Sequence, residues 1–228
     1  MRGITALATL ALLVGAVGVS IAEPYILNLS GNNFSITEAT AIGGELEVVG
    51  MLSQVQDNPP FPLPGIVDWT TEYTVDVRDL ILASPPGNAV KTYTGGVIEL
   101  WADTPPDAPW TPTTPVSSIP AYNALQVPAR MTDGSPLLTG VFTQFATLFF
   151  GGQTGSISAT IDWTGGSRLG DLQTLGIVSD WHWNGWFNMT APVPDGYQRL
   201  YGGKLEHEMP VAVEPATWGG IKNLLRAQ

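Results

Sequence analysis

The sequence predicts an all-β protein: an antiparallel β-sandwich of jelly-roll or immunoglobulin-like type, with a closed barrel as the alternative. Three observations predict it. Runs that alternate apolar and polar residues recur along the chain, as in "YTVDVR" at 73–78 and "SISATIDW" at 156–163. A period of two gives one face to a core and the other to water. Turn signals separate these runs, among them "SPPGN" at 84–88, Asp133-Gly134 and Asp195-Gly196. Helical patterning is confined to "GDLQTLG" at 170–176 and the last dozen residues.

Residues 1–22 read as an export signal. Met1-Arg2 supplies a positive start, Gly3 to Val19 is uncharged and dominated by Ala, Leu, Val and Gly, and Ser20-Ile21-Ala22 offers small residues before Glu23. That is the pattern a signal peptidase reads. The mature chain is therefore expected outside the cytoplasm, secreted, extracellular or at the cell surface, with the periplasm as another compartment. No later run is apolar enough for a transmembrane helix.

Residues 23–212 read as a single β-sandwich domain. "ELEVVGMLSQV", "KTYTGGVIELWAD" and "RLYGGKLEHE" are strands interrupted by Gly. "LLTGVFTQFATLFF" at 137–150 is apolar on both sides of its alternation, which predicts a central strand covered on both faces. Residues 103–127 are crowded with Pro, which removes ladder donors and favours extended, unpaired backbone. They read as a surface excursion. In "SDWHWNGWFN" at 179–188, Asn184-Gly185 is a two-residue type I′ hairpin signal. That register pairs Trp183 with Trp186 and Trp181 with Asn188 on one face, and His182 with Phe187 on the other.

Residues 213–228 differ in character. Pro215 ends the preceding strand, and Trp218, Ile221, Leu224 and Leu225 then fall on one face of a short amphipathic helix. A helix of about ten residues is marginal alone. It is expected to dock on the domain, on a partner or at a membrane surface.

Composition removes several functions. The chain has no Cys, which excludes disulfides, thiol catalysis, Cys-type zinc sites and iron–sulfur clusters. Only 13% of its residues are charged, and Asp plus Glu outnumber Lys plus Arg by 20 to 9. Such a surface repels phosphate backbones, so nucleic acid is not an expected partner. No Gly-x-Ser-x-Gly elbow, His-Glu-x-x-His, Walker loop or dinucleotide fingerprint occurs. The two His, His182 and His207, lack a third ligand that would point to zinc. No cofactor is expected. A structural calcium ion between loops is compatible with Asp57-Asn58, Asp103, Asp107 and Asp133, although none shows the dense spacing of a dedicated calcium loop.

Exported β-domains can bind sugars by stacking Trp against sugar rings, with amide side chains nearby for the hydroxyls. Eight Trp in a charge-poor chain suit that chemistry. Trp110 lies among prolines and is the Trp expected to be exposed. Trp181, Trp183 and Trp186, with Asn188 at the rim, form either a binding platform or a cover for the core. A carboxylate pair is a third option, since glycoside hydrolysis needs only two acids. Glu206 and Glu208 share a strand face, as ordinary solvated residues also would.

The signal, the Gly/Thr-rich strands, "DGSPLLTGVFTQF", "IDWTGGS", "GYQRLYGGKLE" and the tail "EPATWGGIKNLL" give the chain a wider likeness. It resembles exported bacterial β-rich proteins that carry a short C-terminal sorting or attachment tail, in the style of PEP-CTERM proteins. It departs from them where Val213-Glu214-Pro215 stands for Pro-Glu-Pro, where no membrane segment follows, and where Arg226 stands alone. The resemblance implies a surface-associated role and no reaction. The expected function is thus a non-catalytic secreted or cell-surface/matrix protein, attached or assembled through its tail to surface or matrix components. A carbohydrate-binding module is the alternative, and a carboxylate-pair hydrolase the third reading.

Overall fold

The computed structural model describes residues 25–29, 31–53, 63, 66, 71–124, 127, 129–151 and 153–207. The readings made on residues 1–22 and 213–228, with Trp218, Ile221, Leu224 and Leu225, lie outside the described residues. The strands are β1 (Tyr25–Asn28), β2 (Asn33–Thr37), β3 (Glu45–Met51), β4 (Glu72–Leu82), β5 (Val90–Asp103), β6 (Ser135–Phe149), β7 (Thr154–Gly165), β8 (Trp181–Asn188) and β9 (Arg199–His207). One short helix, α1 (Leu169–Leu175), joins β7 to β8.

Consecutive strands from β2 to β9 pair antiparallel, each with the next. β9 then pairs with β2, through Asn33↔Tyr201, Phe34↔Leu200 and Ser35↔Arg199. The sheet closes on itself as an eight-strand up-and-down barrel. β1 runs along the same edge of β9 in line with β2, from Tyr25↔His207 to Asn28↔Lys204. β1 and β2 behave as one interrupted stave, bridged where the Leu29 N–H donates to the Gly203 carbonyl at 2.8 Å.

This corrects the sandwich expectation. Sandwich and barrel impose the same inward–outward alternation on every strand, so the period of two does not separate them. The β9–β2 pairing does, and it joins segments more than 160 residues apart. A closed barrel also leaves no unpaired edge to protect.

Inward residues fill the barrel, as an eight-strand interior allows. Trp181, Trp183, Tyr201, Phe145 and Phe187 are among the largest fully buried side chains. Their rings meet edge to face or tilted: Phe145 lies 5.9 Å from Trp183, Tyr93 5.3 Å from Phe145, and Trp163 6.0 Å from Trp181. At the end where β7 finishes, α1 places Leu172 in this core together with Ile177. Gly176 ends α1 in the left-handed region at φ 71°. This lets the Ile177 N–H reach the Leu172 carbonyl at 3.0 Å.

A second apolar layer lies outside the barrel. Phe34 and Ile36 of β2 and Val49 and Met51 of β3 point outward and are buried. Trp110, Ile119, Val127 and Met131 from the Pro-rich β5–β6 connection cover them, with Tyr197 from the β8–β9 connection. The excursion is therefore a packed cover over one wall. Asn32 staples it to the β1–β2 break, its Nδ2 donating to the carbonyls of Thr111 at 2.9 Å and Thr114 at 2.8 Å.

Elsewhere the outward positions are mostly polar, such as Ser156, Ser158, Thr160, Asn184 and Lys204. β6 is not covered on both faces as its apolar content predicted: Val141 and Leu148 are exposed. An apolar interior and a polar exterior are the inverse of a barrel that crosses a membrane. No helix among the described residues is long and apolar enough to cross one.

Candidate functional site

Residues 181–188 form one unbroken strand, not a hairpin. Asn184 and Gly185 pair on both sides, with Ser158 and Ile157 of β7 and with Lys204 and Gly203 of β9. Both flanks of Asn-Gly find other partners, so no turn forms. Alternation then places Trp181, Trp183 and Phe187 inside, and His182, Asn184 and Trp186 outside. His182 does not pack against Phe187 as the hairpin register required, because the two side chains lie on opposite faces of the wall.

The outer face of β7–β8–β9 is built in rows across the strands. One row holds Ser156, Trp186 and Gly202; the next, toward the end of β9, holds Ser158, Asn184 and Lys204; the third holds Thr160, His182 and Glu206. Trp186 is 43% exposed. Its indole lies against Gly202, where an added Cβ would come 2.7 Å from Cζ2 and 2.8 Å from Cε2. The glycine gives the ring a flat seat on the backbone. Leu148 and Val90, both exposed, continue the Trp186 row across β6 and β5. From β5 to β9 the row crosses four strand spacings, about 19 Å.

Polar groups lie beside this apolar track. Asn184 Nδ2 donates to Glu206 Oε1, and Lys204 Nζ pairs with Glu206 Oε2. These contacts orient an amide and an ammonium next to Trp186. Asn188 is spent differently. Its Oδ1 accepts from the Thr190 N–H at 2.9 Å, the Thr190 hydroxyl at 2.9 Å and the Ala191 N–H at 3.0 Å, closing its own turn.

The other three candidate Trp are core. Trp181 and Trp183 are 0% and 2% exposed. Trp110, expected to be exposed, is 3% exposed. Its N–H donates to the Asn32 carbonyl at 3.0 Å, and its ring packs edge-on against Phe34 and Tyr197. Leu148 and Val90 were not singled out from the sequence; their place in the Trp186 row depends on strand register.

The two His do not meet. His182 faces solvent, whereas the His207 ring lies 5.8 Å from Trp181. Asp103, Asp107 and Asp133 do converge, with one carboxylate oxygen from each within 4.8 Å of the others. Burial, and then the Asp103 and Asp107 charges, raise the Glu72 carboxyl, against the Ala108 N–H that it accepts at 3.1 Å. Oxygen ligands of this kind suit calcium, but three carboxylates supply only part of its usual six to eight contacts.

The remaining carboxylate group sits on the outer wall of β3–β5. Arg78 Nη1 bridges Asp76 Oδ2 at 2.6 Å and Glu99 Oε2 at 2.7 Å. Glu47 lies beside them, its carboxyl raised to about 7 by burial and then by Asp76 and Glu45. These acids gather around Arg78 on the neighbouring strands β3, β4 and β5. No family model, curated protein or solved structure matches this chain.

Proposed function

We propose that the chain is an exported, non-catalytic surface or matrix protein that binds glycan on its outer β7–β8–β9 face. The observation that carries this reading is Trp186, an exposed indole seated on Gly202 and flanked by Ser156, Asn184 and Lys204. A sugar ring offers an apolar C–H face to the indole and hydroxyls to the amide, ammonium and serine groups. The Val90–Leu148 extension would let a chain of sugars continue along the row. The export signal and the low charge, with acids in excess, agree with a role outside the cytoplasm. Attachment through residues 213–228 belongs to the same proposal and rests on the amphipathic pattern of that tail.

A glycan array followed by titration of the strongest hit tests the reading. Trp186→Ala is expected to weaken binding at least about tenfold, equivalent to about 1.4 kcal/mol. Its barrel should stay intact, with an unchanged far-ultraviolet circular dichroism spectrum. An array without hits, or a variant that binds as well as the wild type, would remove the platform.

A further inference from the structure

One end of the barrel, where β8 finishes and β9 begins, holds charge that the Trp186 face does not use. Lys91, the second residue of β5, points inward and is only 7% exposed. Its ammonium lies over the Phe149 ring, 5.0 Å from the centroid, and it makes no ion pair among the described residues. Arg199, at the start of β9, lies 5.6 Å from the Phe149 centroid and 5.7 Å from that of Phe187.

Glu38 carries the nearby negative charge; it forms an ion pair with Arg199, and one of its oxygens also accepts a hydrogen bond. Oε2 holds Arg199 Nη1 at 2.9 Å, and Oε1 accepts the Tyr201 hydroxyl at 2.8 Å. Burial, and then the Arg199 charge, push the Lys91 ammonium below the ordinary lysine range, against the pull of Glu38. Burial also raises the Tyr93 phenol to about 12, so it stays protonated.

Among the described residues the mouth holds two cations and one carboxylate: Lys91 with three N–H donors and Arg199 with five, against Glu38, which is ion-paired with Arg199. A buried cation without a counter-ion is strongly disfavoured. The chain has only nine Lys and Arg, yet two of them meet here.

We propose that this mouth binds a monocarboxylate, held by the Lys91 ammonium and the Arg199 guanidinium, with its apolar body against the half-buried Phe149 ring. Charge selects the class. Lys91, Arg199 and Glu38 together leave one net positive charge. A single carboxylate neutralises it, whereas a doubly charged phosphate would leave net negative charge beside Glu38. The half-buried Phe149 ring favours a ligand with an apolar body over a bare ion. The site is separate from the Trp186 face, which lies on the outer side of the wall, so either can fail without the other.

Sodium benzoate, titrated into the full chain at constant ionic strength and followed by thermal melts, tests the proposal. A saturable rise in Tm is expected, since a ligand that binds only the folded state stabilises it by mass action. Acetate should act more weakly, and inorganic phosphate should give no saturable rise. Lys91→Met keeps an apolar stem and removes the charge, and should weaken the benzoate response at least tenfold. Wild-type protein labelled with ¹³C-lysine supplies a measurement that needs no variant. The chain has three lysines, Lys91, Lys204 and Lys222, and only the Lys91 side-chain signal should shift saturably with benzoate. No saturable shift at Lys91, a phosphate effect equal to that of benzoate, or a folded Lys91→Met that responds like the wild type would each overturn the proposal.

Discussion

Trp183 and Trp186 are three residues apart in one strand, yet one fills the barrel and the other lies on its surface. Gly185 makes the inner placement possible. A Cβ there would come 2.5 Å from the Gly202 carbonyl oxygen and 2.6 Å from Trp183 Nε1. Gly185→Ala is therefore an overpacking change, expected to cost about 1–3 kcal/mol in urea unfolding while leaving a cooperative transition. A wild-type midpoint in that variant would contradict the tight fit. In the sequence the Asn184-Gly185 turn signal outweighs the plain alternation Trp181, Trp183, Gly185, Phe187, and so predicts Trp181, Trp183 and Trp186 on one face and Phe187 with His182 on the other. An Asn-Gly pair favours a hairpin only when its two flanks pair with each other. Here Asn184 pairs with Ser158 and Lys204, so the strand runs straight through.

The Pro-rich connection between β5 and β6 behaves as an element in its own right. Its prolines and lack of ladder pairing were evident from composition. Its packing was not, because that depends on an apolar outer surface formed by Phe34, Ile36, Val49 and Met51. Strand alternation normally turns that side to water. Once β2 and β3 present apolar residues on both faces, something must cover the outer one, and Trp110 leads the cover. Trp110→Ala removes that ring and leaves the Asn32 carbonyl without its indole donor. A loss of about 3–5 kcal/mol is expected, in line with other buried Trp truncations. Limited proteolysis should then cut within residues 104–134 before the barrel unfolds. A variant as resistant as the wild type would show that the cover holds without Trp110.

At the level of the complete barrel, the acidic balance makes stability depend on pH. Burial, with Asp76 and Glu45 nearby, raises the folded-state pKa of Glu47 from 4.5 to about 7. Burial also raises Asp76, against the pull of Arg78. A carboxyl whose pKa is higher when folded binds more protons in the native state between the two values. Stability then falls as pH rises through that window, from about 4.5 to about 7 for Glu47. Net charge of −11 acts in the same direction, because self-repulsion grows as carboxylates ionise. Urea midpoints are expected to drop from about pH 5 to about pH 8, and Glu47→Gln should flatten part of that slope. A midpoint that rises across this range would reverse the assignment. The amino-acid order was enough to establish an all-β chain, the inward and outward faces of strands such as β4 and β7, the helical turn near Leu172 and the separate character of the Pro-rich stretch. These follow from local periodicity and from backbone limits at Gly and Pro. Closure into a barrel, the exposure of Trp186 beside Gly202, and the meeting of Lys91 with Arg199 were decided by strand pairing across distant parts of the chain. No local pattern encodes such partners, because every inward-facing residue looks alike until the register fixes which neighbours it meets.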